Sequence, residues 1–337
     1  MNQALAVSAM EVNDSWRGWI AENLMLGGHP QHLAIIMVES GIAEDAARAE
    51  VEAALRSPYL RTASRLHNRL AKRDWVLGIQ ARLNRLTPPA MPRRHRLSGE
   101  EFLQEYYLRN QPVIITGMLE DCPACNKWTF DYLSSQLAGK EVEVQFGRDS
   151  DNNYEMNSVA HRRRMPFADY VDLVRNAGVT NDFYMTANND GHNKEALGVL
   201  MADLPPLPEY LTGAGGFVWF GPAGTITPFH HDLTNNFMIQ VAGRKRVRMI
   251  APCETPKVYN HRHCFAQIDG RGIDLQRFPL MADVPVIDCV LAPGEILFLP
   301  VGWWHFVEAL DVTITVSTTH FKWDNDFYTQ YPSNQEY

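Results

Sequence analysis

Two histidines and an aspartate stand together in the segment from Thr225 to Ile250, TITPFHHDLTNNFMIQVAGRKRVRMI. His230 and Asp232 are two residues apart, so on a β-strand both side chains point to one face, whereas His231 points to the other. Two histidines and one carboxylate form the facial triad of non-haem iron(II) oxygenases. The pair therefore indicates a metal site that needs a third ligand from elsewhere in the chain.

His305 is the best candidate for that third ligand. It follows LFLPVGWW, an apolar strand that leads through a glycine turn into two tryptophans, so we expect it at a strand mouth beside bulky side chains. Three other histidines lie in less favourable loop or strand-end contexts, namely His261, His263 and His320. The HxD pattern alone is also compatible with a buried hydrogen-bonded pair that holds no metal.

A lysine follows the histidines at a spacing that suits an anionic co-substrate. Lys245 comes fifteen residues after His230, just past a strand that runs back antiparallel to the metal strand or beside it. A lysine ammonium buried in a barrel needs a partner anion. A dicarboxylate bound to the metal through a 2-oxo acid end would present its far carboxylate there.

The segments that must position these side chains are strand-like from Gly216 onward. Short runs rich in β-branched and aromatic residues are separated by Gly and Pro: GFVWFGP, NNFMIQVAG, RKRVRMIAP, VIDCVLAPG, EILFLPVG, WHFVEAL and VTITVST. This pattern predicts an antiparallel sandwich or small barrel. VAGRKRV is expected to form a tight turn between two strands, with Gly243 supplying the turn.

The preceding part of the chain has a mixed pattern. Ser98 and Glu101 form a capping box at the start of a helix through SGEEFLQEYYLRN. QPVIITGM and KEVEVQFG are expected to be strands, and TFDYLSSQLAG and PFADYVDLVRN to be helices.

Residues 14–86 have helical spacing and predict a bundle of about four helices. The double proline between Leu86 and Ser98 predicts a linker, so we expect a helical region over residues 1–90 and a catalytic domain over residues 91–337. The stretch from Arg56 to Arg96 carries many arginines and almost no acids. It is either a solvated helix face or a surface for an acidic partner or RNA.

The bulk composition excludes some classes of protein. A net charge of -8 argues against a generic nucleic-acid binder. The N-terminus has neither a basic region nor a long apolar run, so we expect no signal peptide and no membrane span. The five cysteines are scattered, which favours reduced thiols and a cytoplasmic location. Cys122 and Cys125 form a CxxC pair, but no second ligand pair at matching spacing indicates a zinc site.

These motifs together resemble the JmjC family of iron(II)- and 2-oxoglutarate-dependent oxygenases. The resemblance rests on TPFHHDLTNNFMIQVAGRKRVRMI, LFLPVGWWHFVEAL and VTITVST, and it covers roughly residues 95–322. It is strongest with the cupin-like hydroxylase branch that includes the asparaginyl hydroxylase called factor inhibiting hypoxia-inducible factor. The fold that it implies is α+β, a double-stranded β-helix of the jelly-roll type with an N-terminal all-helical region.

The resemblance also implies a cofactor set and a role for each matching residue. His230, Asp232 and His305 would bind Fe(II), and Lys245 would pair with the distal carboxylate of 2-oxoglutarate. O2 would be the second co-substrate, with ascorbate as a reductant in vitro. Succinate and CO2 would be the co-products.

Four further residues match positions around the co-substrate. Thr227 and Tyr184 would reach its distal carboxylate, and Asn236 would lie near its metal-bound end. Ser317 falls where the asparaginyl hydroxylase has an asparagine. Each also has an ordinary structural interpretation, which for the first three is a strand threonine, a core tyrosine and a turn-capping asparagine.

The function that we expect is hydroxylation of an amino-acid side chain in a protein or peptide. Oxygenation of a small molecule such as an amino acid, and demethylation, are the alternatives among enzymes. A metal-binding cupin that serves as a sensor or scaffold is the alternative outside enzymes. Nucleic acid and membrane partners are disfavoured. The sequence leaves the oligomeric state open, a homodimer included.

Overall fold

The structure, a computed structural model, describes residues 11–187, 191–213 and 215–332. The chain divides into two compact units, residues 1–80 and 81–337. The domain boundary expected at residue 90 stays a prediction.

The N-terminal unit is helical, as its spacing predicts. Its helices are α1 (Asp14–Met25), α2 (Pro30–Glu39), α3 (Glu44–Arg56) and α4 (Pro58–Asn84), the last of which extends past residue 80. The side chain of Asn13 caps α1 by accepting a hydrogen bond from the backbone N–H of Trp16. Ile20, Met37 and Ala47 are completely buried in a small core that α1, α2 and α3 share.

The second unit also contains short helices. They are α5 (Gly99–Phe102), α6 (Pro123–Lys127), α7 (Phe130–Gln136), α8 (Ser158–His161), α9 (Phe167–Asn176) and α10 (His192–Ala196). The capping box of Ser98 and Glu101 is present, but the predicted helix is α-helical only to Phe102 and continues as a π-helix over Leu103–Tyr107. Short 3₁₀ helices occur at Arg148–Ser150, Gly198–Asp203, Pro252–Lys257 and Pro279–Asp283.

The strands of the second unit form two six-stranded sheets and one three-stranded sheet. They are β1 (Arg93–His95), β2 (Val113–Thr116), β3 (Glu141–Phe146), β4 (Arg162–Pro166), β5 (Phe183–Tyr184), β6 (Phe217–Gly221), β7 (Ile226–His231), β8 (Asn236–Ala242), β9 (Lys245–Ile250), β10 (Asn260–Arg262), β11 (Phe265–Ala266), β12 (Ile287–Leu291), β13 (Ile296–Leu299), β14 (Trp304–Ala309) and β15 (Thr313–Thr318). The sheet orders are β1-β2-β13-β8-β15-β6, β10-β11-β7-β14-β9-β12 and β4-β3-β5.

The two large sheets share an apolar core. Buried side chains from β2, β8 and β13 of one sheet pack in a single cluster with side chains from β9, β12 and β14 of the other. All strand pairs in these sheets are antiparallel except β1 with β2. The predicted α+β jelly roll with an N-terminal helical region is therefore confirmed.

Five short strands lie where the sequence pattern does not predict them, namely β1, β4, β5, β10 and β11. β1 lies within the expected linker and pairs in parallel with β2. β4 pairs with β3. The three residues of β1 are all exposed, and β4 is Arg-Arg-Arg-Met-Pro, so neither shows the alternation or β-branched content that indicates a strand.

The predicted turn in VAGRKRV connects strands of different sheets, β8 and β9, rather than the two arms of a hairpin. Gly243 adopts a left-handed φ of +66° in this connection. A Cβ at this position would lie 2.1 Å from the carbonyl oxygen of Val312, so the crossing between the sheets requires glycine.

Candidate metal and co-substrate site

Two adjacent antiparallel strands, β7 and β14, carry the predicted histidines. His305 pairs with His230, and Val307 pairs with Thr227. The two pairs are three residues apart on β7 but two apart on β14, so β7 contains one extra residue, a β-bulge. The bulge explains why Thr227 and His230 both line one cavity, although strict alternation would place them on opposite faces.

The side chains of His230, Asp232 and His305 converge. Their ligand-type atoms all lie within 4.8 Å of one another. His230 Nε2 is 3.6 Å from Asp232 Oδ1, and the two imidazole centroids are 4.2 Å apart. Asp232 directly follows β7, where its carbonyl oxygen accepts a hydrogen bond from the N–H of Gly302. One metal ion could contact all three side chains.

The hydrogen bonds of the two imidazoles suit metal binding. Nδ1 of His230 is 2.8 Å from the carbonyl oxygen of Pro228, and Nδ1 of His305 is 2.9 Å from that of Trp303. Because a carbonyl oxygen only accepts, each Nδ1 carries a proton and donates it. Nε2 is therefore the nitrogen of each ring that remains for a metal, while the backbone fixes the ring. Two imidazole nitrogens and one carboxylate fit Fe(II).

Two pKa values agree with this arrangement. Burial, followed by the proximity of His305, lowers the pKa of His230 to about 4, so its ring is neutral at neutral pH. Burial opposes ionisation of Asp232, but His305, His230 and a hydrogen bond from Asn236 together lower the pKa of this carboxyl group. Neutral imidazole and ionised carboxylate are the forms that ligate a metal.

Asn236 orients the carboxylate of Asp232. Its Nδ2 donates a hydrogen bond to Asp232 Oδ2 at 3.2 Å, whereas the other carboxylate oxygen, Oδ1, faces His230. The Oδ1 atom of Asn236 is buried and has no hydrogen-bond partner among the described residues. The resemblance implies a place for Asn236 near the metal-bound end of the co-substrate, and the side chain lines the cavity at that end.

Lys245 and Tyr184 meet within the same cavity. The side chain of Lys245 is 2% exposed, and its Nζ donates a hydrogen bond to the Tyr184 hydroxyl at 3.0 Å. No carboxylate of the described residues forms an ion pair with Lys245. Burial lowers the pKa of Lys245 to about 7. Because a buried ammonium without an anion is costly, this end of the cavity favours an incoming carboxylate.

The two ends of the cavity are connected by β14. Lys245 pairs with Ala309, four residues along β14 from His305. Four residues of strand span roughly 13 Å at about 3.3 Å per residue. A lysine side chain and a five-carbon diacid together can bridge this length. Thr227 lies between the two ends, opposite Val307.

Gly221 makes room for the ring of Tyr184. A Cβ at position 221 would lie 2.5 Å from Cδ2 of Tyr184, so a side chain there would displace the tyrosine. Tyr184 lies in β5, which pairs with β3, and its ring is buried. Burial raises the pKa of Tyr184 well above its usual value, so its hydroxyl stays protonated and can donate a hydrogen bond to an acceptor.

Ser317 holds a wall of the cavity. Its Oγ accepts a hydrogen bond from Nε1 of Trp219 at 2.9 Å, and both residues line the cavity.

His231 packs edge-on against Trp304, with ring centroids 4.8 Å apart, and is not one of the three converging side chains.

The cavity has a volume of about 610 Å³ and contains every predicted site residue. Its lining also includes residues that the sequence pattern does not single out, among them Glu155, Arg162 and Arg262. Behind Glu155 lies Arg148, which donates a hydrogen bond to Glu155 at 3.0 Å and is 1% exposed. Arg148 lies in a three-residue 3₁₀ helix and Glu155 in a turn, and neither element is long enough for a periodicity to reveal which side chains point inward.

The sequence of residues 99–326 matches the family described as the cupin-like domain. The chain therefore belongs to the cupin-like domain family, within the JmjC cupin superfamily. Enzymes of this superfamily use Fe(II), 2-oxoglutarate and O2, so the cofactor set predicted from the sequence is confirmed for the family.

Several curated proteins are similar to this chain. Lysine-specific demethylase JMJ30 of Arabidopsis thaliana is 32% identical over 251 residues, which are 72% of this chain and 56% of that protein. Lysine-specific demethylase 8 of Xenopus tropicalis is 29% identical over 68% of this chain and 52% of its own length. tRNA wybutosine-synthesizing protein 5 of Gallus gallus is 28% identical over 68% of this chain and 77% of its own length. The chain thus spans about half the length of the two demethylases.

The comparisons support the superfamily rather than the hydroxylase branch in particular. The relatives are named as demethylases and as a tRNA-modifying protein. The tRNA-modifying relative weakens the expectation that nucleic acid is not a partner. No helix in the described part of the chain is both long and apolar enough to cross a membrane.

Proposed function

We propose that this protein is an Fe(II)- and 2-oxoglutarate-dependent oxygenase that hydroxylates an amino-acid side chain of a protein or peptide. The observation that carries the proposal is the pairing of two sites in one cavity. A cluster of two imidazoles and a carboxylate lies at one end, and a buried lysine without an anionic partner among the described residues lies at the other.

Each residue has a role in this proposal. His230, Asp232 and His305 hold the metal, and Asn236 fixes the free oxygen of Asp232. Lys245 and Tyr184 bind the distal carboxylate of 2-oxoglutarate, with the hydroxyl of Thr227 as a further donor. When bound, iron with 2-oxoglutarate and O2 supplies the oxidant for C–H bonds, and succinate and CO2 are the co-products.

The cavity walls contribute by orientation and by excluding water. Ser317 fixes the indole of Trp219 through its Oγ, so this wall has a defined position. Burial of Lys245 and Tyr184 strengthens their interaction with a carboxylate, because charge–charge attraction is larger where water is excluded. The cavity volume of about 610 Å³ leaves space beside the co-substrate for one substrate side chain.

Demethylation is the second candidate function, and the names of the relatives favour it. Both reactions begin with hydroxylation of a C–H bond. A hydroxylated N-methyl group then loses formaldehyde, whereas a hydroxylated carbon elsewhere keeps its oxygen. The two outcomes therefore differ in product mass rather than in the residues of the site.

The proposal is tested in two steps. Purified protein with Fe(II), ascorbate and 2-oxoglutarate is assayed for succinate, with the Asp232→Ala variant as the control. Extract from cells that lack the protein is then incubated with the enzyme, and its proteins and metabolites are compared by mass spectrometry. A gain of one oxygen on a protein supports the proposal, loss of a methyl group supports demethylation, and modification only of metabolites supports small-molecule oxygenation.

The succinate assay also tests the alternative hypothesis that the cupin is a metal-binding sensor or scaffold without catalytic activity. That hypothesis requires metal binding without any succinate above the Asp232→Ala control. We also propose a cytoplasmic location, since the cysteines of the described residues are all free thiols.

A further inference from the structure

Three side chains that do not line the cavity hold the first residue of β7, Ile226. The carbonyl oxygen of Ile226 accepts hydrogen bonds from Nη2 of Arg148 at 2.6 Å and from the hydroxyl of Tyr154 at 3.1 Å. The backbone N–H of Ile226 donates to Oδ1 of Asn181 at 2.8 Å. Side chains therefore satisfy both backbone groups of this residue.

These side chains stand where a neighbouring strand would otherwise lie. β7 pairs with β14 along one edge, whereas along its other edge β11 pairs with it only at His230 among the described residues. At the Ile226 end, the second edge is covered by Arg148, Tyr154 and Asn181 instead. Because buried backbone groups need partners, these hydrogen bonds fix the start of β7.

The position of Ile226 decides where the side chain of Thr227 begins. The carbonyl of Ile226 and the N–H of Thr227 belong to one planar peptide group. The extra residue of β7 lies between Thr227 and His230, so the pairing of His230 with His305 does not set the orientation of Thr227. The hydrogen bonds on the Ile226 carbonyl therefore help to point Thr227 into the cavity.

Arg148 contacts the surroundings of Tyr184 as well. Its guanidinium carbon is 5.2 Å from the ring centroid of Tyr184 and 4.3 Å from that of Tyr154, distances at which a cation is attracted to an aromatic ring. The backbone N–H of Arg148 donates to the carbonyl of Asp182, two residues before Tyr184, at 3.1 Å. One arginine thus supports both hydroxyl residues at the co-substrate end of the cavity, Thr227 and Tyr184.

A buried arginine contributes little net stability at this position. Arg148 is 1% exposed, and Glu155 is its one ion-pair partner among the described residues. Its Nε and Nη1 have no hydrogen-bond partner in the same part of the chain. A buried ion pair is often no more stable than apolar side chains of similar volume, and unpaired N–H groups add a further cost. These costs suit a role in function better than a role in stability alone.

We propose that Arg148, together with Tyr154, is a positioning residue for 2-oxoglutarate, which holds the hydroxyls of Thr227 and Tyr184 where both reach the distal carboxylate. Arg148 and Tyr154 act through these two residues and do not touch the co-substrate themselves. The proposal rests on the proposed function, since it assigns how the co-substrate end of that site is held.

Binding to the Fe(II)-loaded protein in the absence of O2 tests the proposal. Tyr154→Phe removes one hydrogen bond from Ile226 and keeps the aromatic ring, so the Kd for 2-oxoglutarate should rise about threefold. The matched control is Tyr210→Phe, which removes a buried hydroxyl that donates to the carbonyl of Leu97. The control should leave this Kd unchanged, and neither variant should change the Fe(II) affinity measured by competition with a chelator.

Arg148 is replaced together with the charge of Glu155, so that no buried carboxylate loses its partner. Compared with Glu155→Gln alone, Arg148→Met combined with Glu155→Gln should raise the Kd for 2-oxoglutarate by about tenfold, since Thr227 and Tyr184 both lose a support. Thermal unfolding shows whether each variant is folded. If the double variant does not fold, Tyr154→Phe decides.

A second ligand separates positioning from general damage to the fold. 2-Oxopentanoate has the chelating end and the chain length of 2-oxoglutarate, but a methyl group replaces the distal carboxylate. The variants should bind it as the wild type does, so their preference for 2-oxoglutarate over 2-oxopentanoate should fall by the same factor as their 2-oxoglutarate affinity.

A Thr227→Ala background shows whether Tyr154 acts through Thr227. Once the hydroxyl of Thr227 is absent, Tyr154→Phe should have no further effect on the Kd for 2-oxoglutarate. Additive effects of the two substitutions would contradict the proposed route.

Three further results would overturn the proposal. They are an unchanged 2-oxoglutarate Kd in the variants of Arg148 and Tyr154, an equal rise in the Kd for 2-oxopentanoate, and an equal rise in the Tyr210→Phe control. A wild-type protein that does not bind 2-oxoglutarate would overturn the oxygenase function as well. Wild-type binding with unaffected variants contradicts the positioning role alone, so the two failures are distinguishable.

Discussion

His305 lies opposite His230 on the neighbouring antiparallel strand, with the two imidazole centroids 4.2 Å apart. Strand pairing brings the two rings together, because side chains of directly paired residues lie on the same face of a sheet. Asp232, the first residue after β7, provides the third ligand-type side chain of the site. Two hydrogen-bonded backbone carbonyls fix the rings.

Removal of any one of these three side chains should abolish tight Fe(II) binding. We expect His230→Ala, Asp232→Ala and His305→Ala to lose metal-dependent succinate formation while they retain the fold, because the two remaining ligands cannot hold the ion. Metal content after gel filtration and thermal unfolding of each variant measure the two effects. His231→Gln is the control, and it should keep the metal. Full activity in any alanine variant would remove that residue from the ligand set.

Asn236→Ala should weaken metal binding more than 2-oxoglutarate binding. Its Nδ2 holds the free oxygen of Asp232 at 3.2 Å, and loss of a partner that orients a metal ligand typically costs 10- to 100-fold in metal affinity, so we expect about tenfold or more. The measurement is competition with a metal chelator, followed by 2-oxoglutarate titration of the fully loaded variant. The opposite pattern, normal metal affinity with weak 2-oxoglutarate binding, would make Asn236 a direct co-substrate contact.

Lys245→Ala should raise the Kd for 2-oxoglutarate by at least about tenfold. A charge-assisted hydrogen bond contributes about 1.5–3 kcal/mol, and a factor of ten corresponds to about 1.4 kcal/mol. Lys245→Arg should be intermediate or poor, since a planar guanidinium does not replace a compact ammonium beside Tyr184. Iron affinity should stay close to wild type. Wild-type 2-oxoglutarate affinity in Lys245→Ala would mean that another cation holds the distal carboxylate.

In the absence of 2-oxoglutarate, Lys245→Met should increase the free energy of unfolding of the protein. This increase should become smaller as the pH rises. Folding lowers the pKa of Lys245 from 10.5 to about 7 through burial. The unfolded chain therefore binds the proton more tightly, so this lysine disfavours folding below pH 7 and the cost fades toward pH 10.5. We expect a gain of at least about 1 kcal/mol at pH 7 in urea unfolding. Equal gains at pH 7 and 9.5 would show that charge is not the cause.

The sequence predicts the local pieces of the site better than their assembly. The two-residue spacing of His230 and Asp232 indicates a shared face, and the fold does bring them together with His305. Pro228 lies within the bulged stretch of β7 and is a residue that favours bulges, but it does not specify the altered register by which Thr227 faces the cavity. The contact of Lys245 with Tyr184 joins strands of different sheets, which no spacing along the chain reveals.

Two short strands that the sequence does not predict have a common physical cause. β1 and β4 are short and rich in arginine, and their pairing depends on neighbouring strands rather than on their own side chains. The turn at Gly243 is recognised from its glycine, but a turn residue does not specify whether the chain returns to the same sheet or crosses to the other. Packing between the sheets determines whether the chain stays in one sheet or crosses to the other.

The most direct test of the proposed site is an anaerobic titration of 2-oxoglutarate into the Fe(II)-loaded protein, followed through the weak visible absorption band of the chelate. We expect a saturable band with one equivalent of iron, absent in Asp232→Ala and shifted to higher 2-oxoglutarate concentration in Lys245→Ala. Admission of O2 should then release succinate from the wild type. A protein that binds iron but gives neither the band nor succinate would contradict the assignment of this cavity to 2-oxoglutarate.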